Sequence, residues 1–476
     1  MTTDRQVNQL SARDAVFLAM DTEASWGHVG GLCLIDPAEA EGFSYEHLVD
    51  RIAERVAMVP RFSWKLREVG LGLDEPYWVE DRDFDVRRHI HPVTLPPPGG
   101  MHELGEVVGE LYAETLDRDR PLWQVWLIDG LADGRYAMFL KTHHCLMDGE
   151  GGANLAEVLS DLSPDAEGPG NLPSGLSEAR PMPPSEARVL RNLWLHGFTR
   201  SRNILHHVRE AATGVIEELI EGHHRDDPPA SAEVPRVSFN GPVGPRRVLA
   251  FSGVSLSRIK AIRKRLDVAV IDVVLELVGA ALRGYLRDRD ELPELALAAL
   301  VPVSLRKGGD ARLGNQVTNM VVSLETDLLS PVDRLLRIHA GVRRAREKVE
   351  HGQLDLFNAM GDSLAPFAAH AVIELSSTEA AFENLPMMGN LVVSNVRSAP
   401  VPLYTAGARV DAMIPISMVQ AGQGLNVTVI SYIDRMDFGF TVDPDLVPDP
   451  WDMADRIPSA LDELERDVER FAGPPD

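Results

Sequence analysis

Only two of the 476 residues are cysteines, Cys33 and Cys145. Two thiols make no disulfide framework, and a reducing cytoplasm suits such a chain. No apolar run reaches the roughly 20 residues that a membrane helix needs. Met1 to Gln9 is polar and Asp14 follows closely, so no secretory leader is expected. Positive charge is scarce: 47 Lys and Arg stand against 72 Asp and Glu, a net −25. Binding nucleic acid regardless of sequence requires the opposite balance. The chain also lacks a Walker sequence, a Gly-x-Gly-x-x-Gly turn, a Gly-x-Ser-x-Gly elbow and a paired Cys–His signature. It therefore advertises no dinucleotide fold and no nucleophile of its own.

What is present is an ordinary globular balance, 44% hydrophobic and 25% charged, over a length that predicts two domains. Residues 1–162 mix strands and helices. His28 to Ile35 reads as a strand, Ser44 to Met58 and Met101 to Thr115 as helices. Residues 121–128 and 136–142 form a hairpin across Asp129 to Gly134. A linker over 163–245 begins with a Pro, Gly, Ser and Glu-rich crossover. It continues as a helical stretch from Arg188 to about Glu221. There, Leu190, Leu193, Trp194, Phe198, Ile204 and Leu205 alternate with arginines. The simpler expectation is a linker helix packed on both domains with its arginines in water. A basic amphipathic helix lying on a lipid surface is the alternative.

The second domain, 246–476, starts again with a strand near Val248. Helices are expected at 257–266 and 270–286, and strands at 295–305 and 317–324. A helix capped by Ser330-Pro331 follows. Strands are expected at 390–396, 425–432 and 436–441, before a closing helix from Trp451 to Phe471. Both halves read as α+β with mixed sheets. Their similar size and make-up suit an ancient duplication.

One block carries the chemistry. The apolar run Tyr136 to Leu140 delivers Lys141-Thr142-His143-His144-Cys145-Leu146-Met147-Asp148-Gly149. Histidine is the side chain suited to accept a proton near neutral pH. Adjacent residues of a strand face opposite ways, so one histidine at most faces a given cleft. Asp148 can fold back to fix the turn and Gly149 permits it. No metal site is expected, because the two rings diverge and no Cys or Glu cluster completes a shell. The pattern reads as a general base with its support, and the attacking group is left to the substrate.

The block His143-His144-x-x-x-Asp148-Gly149 resembles the active-site motif of the bacterial wax ester synthase/acyl-CoA:diacylglycerol acyltransferase family. That family lies within the chloramphenicol acetyltransferase-like group of CoA-dependent acyltransferases. The likeness extends over nearly the whole chain. It includes Leu10 to Leu18, His28 to Leu32, Pro121-Leu-Trp123, Val301 to Arg306, Gly314-Asn315, Asn390 to Val396, Leu403 to Ala408 and Gly422 to Asn426. The resemblance implies two pseudo-symmetric domains, with mixed sheets flanked by helices and a channel between them. It implies acyl transfer from long-chain acyl-CoA, a substrate and not a cofactor, to diacylglycerol or a fatty alcohol. The products would be triacylglycerol or wax ester.

Carried onto this chain, the resemblance makes His144 the general base, His143 its support and Asp148 a structural residue, with Arg306 the candidate partner of Asp148. Asn395, Ser394, Asp272 and Asn315 are the candidates for the channel or for donors to an oxyanion. Lys141, Arg306, Lys307, Arg343, Arg344 and Arg346 could meet the CoA phosphates. A peripheral station at the inner membrane or lipid inclusions fits such substrates, and nucleic acid does not.

Two departures bear on the acceptor. Ile271-Asp272 stands where the family usually has Asn-Asp, and Asn395-Val-Arg-Ser-Ala-Pro400 where it commonly has Asn-Val-Pro-Gly-Pro. They leave two other readings open: the same chemistry on a non-lipid hydroxyl or amine, or a non-catalytic lipid-binding homologue.

Overall fold

The strands show two patterns: short runs buried on both faces mark the central ones, and alternation of buried and exposed residues marks edge strands such as the one at Ile90–Thr94. In chain order they are β1 (His28–Asp36), β2 (Trp64–Arg67), β3 (Tyr77–Glu80), β4 (Ile90–Thr94), β5 (Trp123–Asp129), β6 (Tyr136–His143), β7 (Val248–Ser255), β8 (Ala298–Ser304), β9 (Val317–Ser323), β10 (Leu391–Arg397), β11 (Tyr404–Thr405), β12 (Ala408–Ile416), β13 (Leu425–Tyr432) and β14 (Arg435–Val442). The computed structural model describes residues 8–40, 42–146, 158–166, 181–220, 234–304, 317–350 and 356–472.

Two six-stranded sheets form the two lobes, in the orders β11-β12-β1-β6-β5-β4 and β7-β14-β13-β10-β8-β9. Both are mixed. β4 pairs parallel with β5, and β10 pairs parallel with β13 and β8, while the other neighbours run antiparallel. The architecture is α+β in two pseudo-symmetric lobes. The sheets do not follow chain order, however. β11 and β12 come from the second half of the chain and extend the first sheet beside β1, with Gly31 opposite Pro415. The expected closing helix is two, Pro450–Ala454 and Arg456–Ala472.

Among the described residues, three apolar clusters form the core. One fills the second sheet and the helices Val270–Arg287 and Arg456–Ala472. One fills the first lobe around Trp64, Trp123 and Leu140. The third, with Leu104, Val108, Tyr112, Trp126 and Leu249, lies where the lobes meet. There the helix Met101–Ala113 crosses β7. Gly105 faces the carbonyl of Leu249, and Gly109 that of Arg247, so closely that a Cβ at either position would overlap backbone. Two glycines four residues apart share one helix face, and here they set the distance between the lobes.

Candidate active site

The loop between the helix Ala12–Ala19 and β1 builds the ground on which the histidine pair stands. Ser11 caps that helix, accepting from the amide of Asp14 at 3.1 Å. Asp21 follows the helix end. Its Oδ1 accepts the amide of Gly27 (2.8 Å) and its Oδ2 accepts Arg118 (3.0 Å). Arg118 also donates to the carbonyl of Leu18 at 2.7 Å, which ties the loop back to its own helix.

β6 ends at His143, which faces inward and is buried. Its Nδ1 accepts the amide of Cys145 (3.2 Å), with the Cys145 Sγ 3.0 Å away. The ring proton therefore sits on Nε2, which points at Asp21 Oδ1, 3.3 Å distant. Burial alone would raise the Asp21 carboxyl; the hydrogen bond from His143, with the Arg118 guanidinium beside it, opposes that, and the group is held well below the usual carboxylate range.

His144 lies in the turn beyond the strand and is half-buried. Its amide donates to the carbonyl of Gly27 at 2.7 Å. Its ring stacks on Phe17, with centroids 3.9 Å apart and planes 11° from parallel. The two histidines thus divide as adjacent residues at a strand end should: one locked inside, the other toward the surface.

A third histidine joins them that sequence reasoning passed over. His28 opposes His143 across β1 and β6 and meets its ring edge-on at 5.7 Å. Burial, and then His143, push the His28 imidazole down to about 3, so it is neutral. Tyr112 donates its hydroxyl to the His28 carbonyl at 2.8 Å. Asp21 was also missed. Its partners His143 and Arg118 stand 122 and 97 residues away; the only signal in the sequence is an acid just upstream of the His28-Val-Gly-Gly motif.

This ground touches the second lobe. Ser25 donates to the carbonyl of Val419 (3.1 Å), and Arg247 donates to that of Ala24 (2.5 Å) while lying over the Trp26 ring. The histidine turn therefore rests on a loop pinned between the lobes.

The other expected residues disperse. Asp148, Gly149, Arg306, Lys307 and Asn315 lie outside the described residues. Along β10, Leu391 and Val393 enter the second-lobe core, whereas Val396 packs on the first lobe. Ser394 shares the face of Val396 and pairs with Thr428, which pairs in turn with Gly439. Gly439 abuts the carbonyl of Pro415, so this row lies on the seam between the sheets. Asn395 falls on the opposite face and is exposed.

Asp272 is fully buried in the first turn of the helix Val270–Arg287. Its Oδ2 accepts the amide of Ala269 and lies against His339 Nδ1, both at 2.7 Å. That is the work of a helix cap. Ile271, the departure beside it, packs in the second-lobe core.

Lys141 is buried too. Its ammonium is spent on the carbonyls of Leu111 (2.6 Å) and Glu114 (2.7 Å), and burial draws it down to about 8. It is therefore not placed to meet a phosphate. Arg343, Arg344 and Arg346 are exposed on the helix Pro331–Glu350.

One cluster among the described residues has metal-ligand character, Asp74, Glu75 and His196. Arg200 donates to both carboxylates, so a cation from the chain itself fills that place.

The sequence profile of the wax ester synthase/diacylglycerol acyltransferase catalytic domain matches residues 10–274, and that of the WS/DGAT C-terminal domain matches residues 313–465. The chain belongs to this family. The O-acyltransferase WSD of Acinetobacter baylyi is 31% identical over 469 residues, covering 97% of this chain and 96% of that one. A "probable diacylglycerol O-acyltransferase" of Mycobacterium tuberculosis is 31% identical over 465 residues, covering 96% and 98%. The solved wax ester synthase/diacylglycerol acyltransferase of Marinobacter aquaeolei superposes with a TM-score of 0.69 at 29% identity, over 97% of this chain and 100% of that one. A condensation domain of the calcium-dependent antibiotic synthetase shares the fold alone, with a TM-score of 0.53 at 15% identity over 97% of each chain. This chain is accordingly an acyl-CoA-dependent acyltransferase.

Proposed function

We propose that the chain transfers a long acyl group from CoA to the hydroxyl of diacylglycerol, of a fatty alcohol, or of both, with His144 as the general base. The acceptor oxygen gives its proton to His144 as it attacks the thioester carbonyl carbon. The tetrahedral intermediate then expels the CoA thiolate, which recovers that proton from His144. No bond to the protein forms. The observation that carries this reading is the division of labour in the pair. Both ring nitrogens of His143 face partners inside the protein, whereas His144 is half-exposed on a turn pinned between the lobes.

Asp148 and Arg306 fit a supporting role in the turn. Ser394, on the seam, is better placed than Asn395 to meet a substrate in a channel between the lobes; Asn315 keeps its candidacy for the same duty. With Ile271 in the core, that departure bears on helix packing, and Arg397 to Ala399 is left to shape acceptor choice. Acceptors of this class reside in membranes and lipid inclusions, so peripheral contact with a lipid surface belongs to the same proposal.

The test is CoA-thiol release from palmitoyl-CoA with dioleoylglycerol, hexadecanol or no acceptor. Acceptor-dependent release that falls about 100-fold or more in His144→Ala supports the reading, since a general base contributes about 10²–10⁴-fold. Release undiminished in the variant removes His144 from its role. Folded protein that turns over neither lipid moves the acceptor to another hydroxyl or amine.

A further inference from the structure

Over residues 190–204 the helix Glu186–Ile220 is mounted inside out. A surface helix ordinarily turns its apolar stripe inward and its polar stripe to water. Here Asn192, His196, Arg200 and Asn203 share the stripe that faces the protein. Asn192 donates to Gln9 (3.0 Å) and to the Tyr77 hydroxyl (3.1 Å), and His196 meets Asp74 at 2.8 Å. Arg200 donates to Asp74 (3.0 Å), to Glu75 and to the carbonyl of Leu73 (3.1 Å), and Asn203 donates to the carbonyl of Asp362 (2.8 Å).

Leu190, Trp194 and Phe198, each about half a turn away from that stripe, face outward. They are 67%, 73% and 68% exposed, and the Trp194 and Phe198 rings lie nearly parallel. Leu195 and Ile204 widen the apolar face, and Arg191 and Arg202 stand exposed beside it. The loop that receives Arg200 displays Leu71, held at φ +61° and 89% exposed. The buried acids Asp74 and Glu75 fix this orientation, because they draw the polar stripe inward and leave the aromatic stripe exposed among the described residues.

We propose that this face is the docking surface for a lipid bilayer with anionic headgroups. The aromatic and aliphatic side chains would enter the headgroup–acyl boundary, while Arg191 and Arg202 meet phosphates. The charge pattern favours that partner. A chain of net −25 is repelled by an anionic surface as a whole, yet it carries arginines beside its most exposed aromatic stripe. The inference deepens the lipid-acceptor reading by naming the surface that brings the enzyme to its acceptor. It rests on that reading for its purpose, so binding and turnover are measured separately.

The experiment floats the full chain with vesicles of phosphatidylcholine, with and without phosphatidylglycerol, beside Trp194→Glu/Phe198→Glu and Arg191→Gln/Arg202→Gln. Wild type is expected to float with the anionic vesicles and to release as salt is raised. The aromatic pair loses at least about tenfold in binding, the order expected when even one buried side chain is withdrawn. Its turnover of dispersed octanol is unchanged, and its turnover of vesicle-borne dioleoylglycerol falls with the binding. Should the aromatic pair misfold by circular dichroism, the arginine pair decides, through loss of the preference for phosphatidylglycerol. Wild type that fails to float, or variants that float equally well, overturn the proposal. A wild-type dimer in light scattering, dissolved by the aromatic pair and without flotation, overturns it too and gives the face to a second copy of the chain. Flotation of a wild type inactive on every lipid would leave the docking surface standing and remove the lipid-acceptor reading.

Discussion

The carbonyl of Gly27 receives the backbone amide of His144 at 2.7 Å. The amide of the same glycine is held by Asp21 at 2.8 Å. Gly27 is thus a clasp between the anionic side chain and the histidine turn, and nothing larger fits. A Cβ there would lie 2.5 Å from the Phe17 carbonyl and 2.8 Å from His143 Nε2. Gly27→Ala is expected to lower stability by about 1–3 kcal/mol, the usual penalty of overpacking. It should also move Phe17, the ring on which His144 stacks. Thermal unfolding and turnover on the same preparation check both; an alanine variant with wild-type melting and turnover would show that the loop yields freely.

Asp21 works on the turn by two routes, through the His143 ring and through Gly27. Asp21→Asn keeps the shape and removes the charge that Arg118 and His143 share. The expected result is a fall in kcat of about 10–100-fold with KM for acyl-CoA nearly unchanged, since misplacing a reacting group by about 1 Å is enough for that. Asp21→Glu should restore part of it. The stability effect has a definite sign. The folded carboxyl lies below its ordinary value, so its contribution stands at neutral pH and is lost as pH falls through the folded value. Wild type and Asp21→Asn should therefore differ in melting at neutral pH and converge in strong acid.

The histidine pair was legible because its signals are local. An apolar run made the strand, and strand geometry divided the two rings. The same holds for the helix Pro331–Glu350, where Ser330 accepts the amide of Asp333 at 3.2 Å as the Ser-Pro pair predicts. What stayed hidden was set at long range. β12 contains Pro415, which argues against a strand read locally, and its partner β1 lies nearly the length of the chain away. Asp21 is one acid among many until the fold brings Arg118 and His143 to it. The helix beyond Glu186 is instructive in another way. Periodicity announced two faces correctly, but which face docks was decided by Asp74 and Glu75, more than a hundred residues earlier. The expected orientation, apolar side on the protein and arginines in water, is reversed at Arg200.

The lobe seam offers a separate test. Gly105 sits under the carbonyl of Leu249 with no room for a side chain. Gly105→Val would force the helix Met101–Ala113 away from β7. A loss of about 1–3 kcal/mol or more is expected, with turnover reduced because the loop carrying Gly27 is pinned to the second lobe through Ser25 and Arg247. Gly197→Val, on the exposed side of the long helix where nothing lies within reach of a Cβ, is the control and should leave turnover unchanged. Denaturant unfolding of both variants beside wild type measures the difference.

The clamp that mounts the long helix inside out titrates. Hydrogen bonds that His196 donates to Asp74 and then to Glu75 raise its imidazole from 6.5 to about 9, so it is a cation at neutral pH. A group whose folded value is raised contributes stability that is fully present below its unfolded value and is lost as pH rises through the folded one. His196 should therefore strengthen the helix anchor below about 6.5 and release its share as pH passes about 9. His196→Gln keeps a polar side chain without the charge. Its melting temperature should fall below that of wild type at neutral pH, and the gap should close as the buffer is taken above about 9. The gap should be modest, because the ring is partly solvated and the Arg200 guanidinium holds the same two acids. A gap that widened with rising pH would mean that the imidazole stabilises the helix as a neutral ring, and the ion pair would not be what mounts the helix.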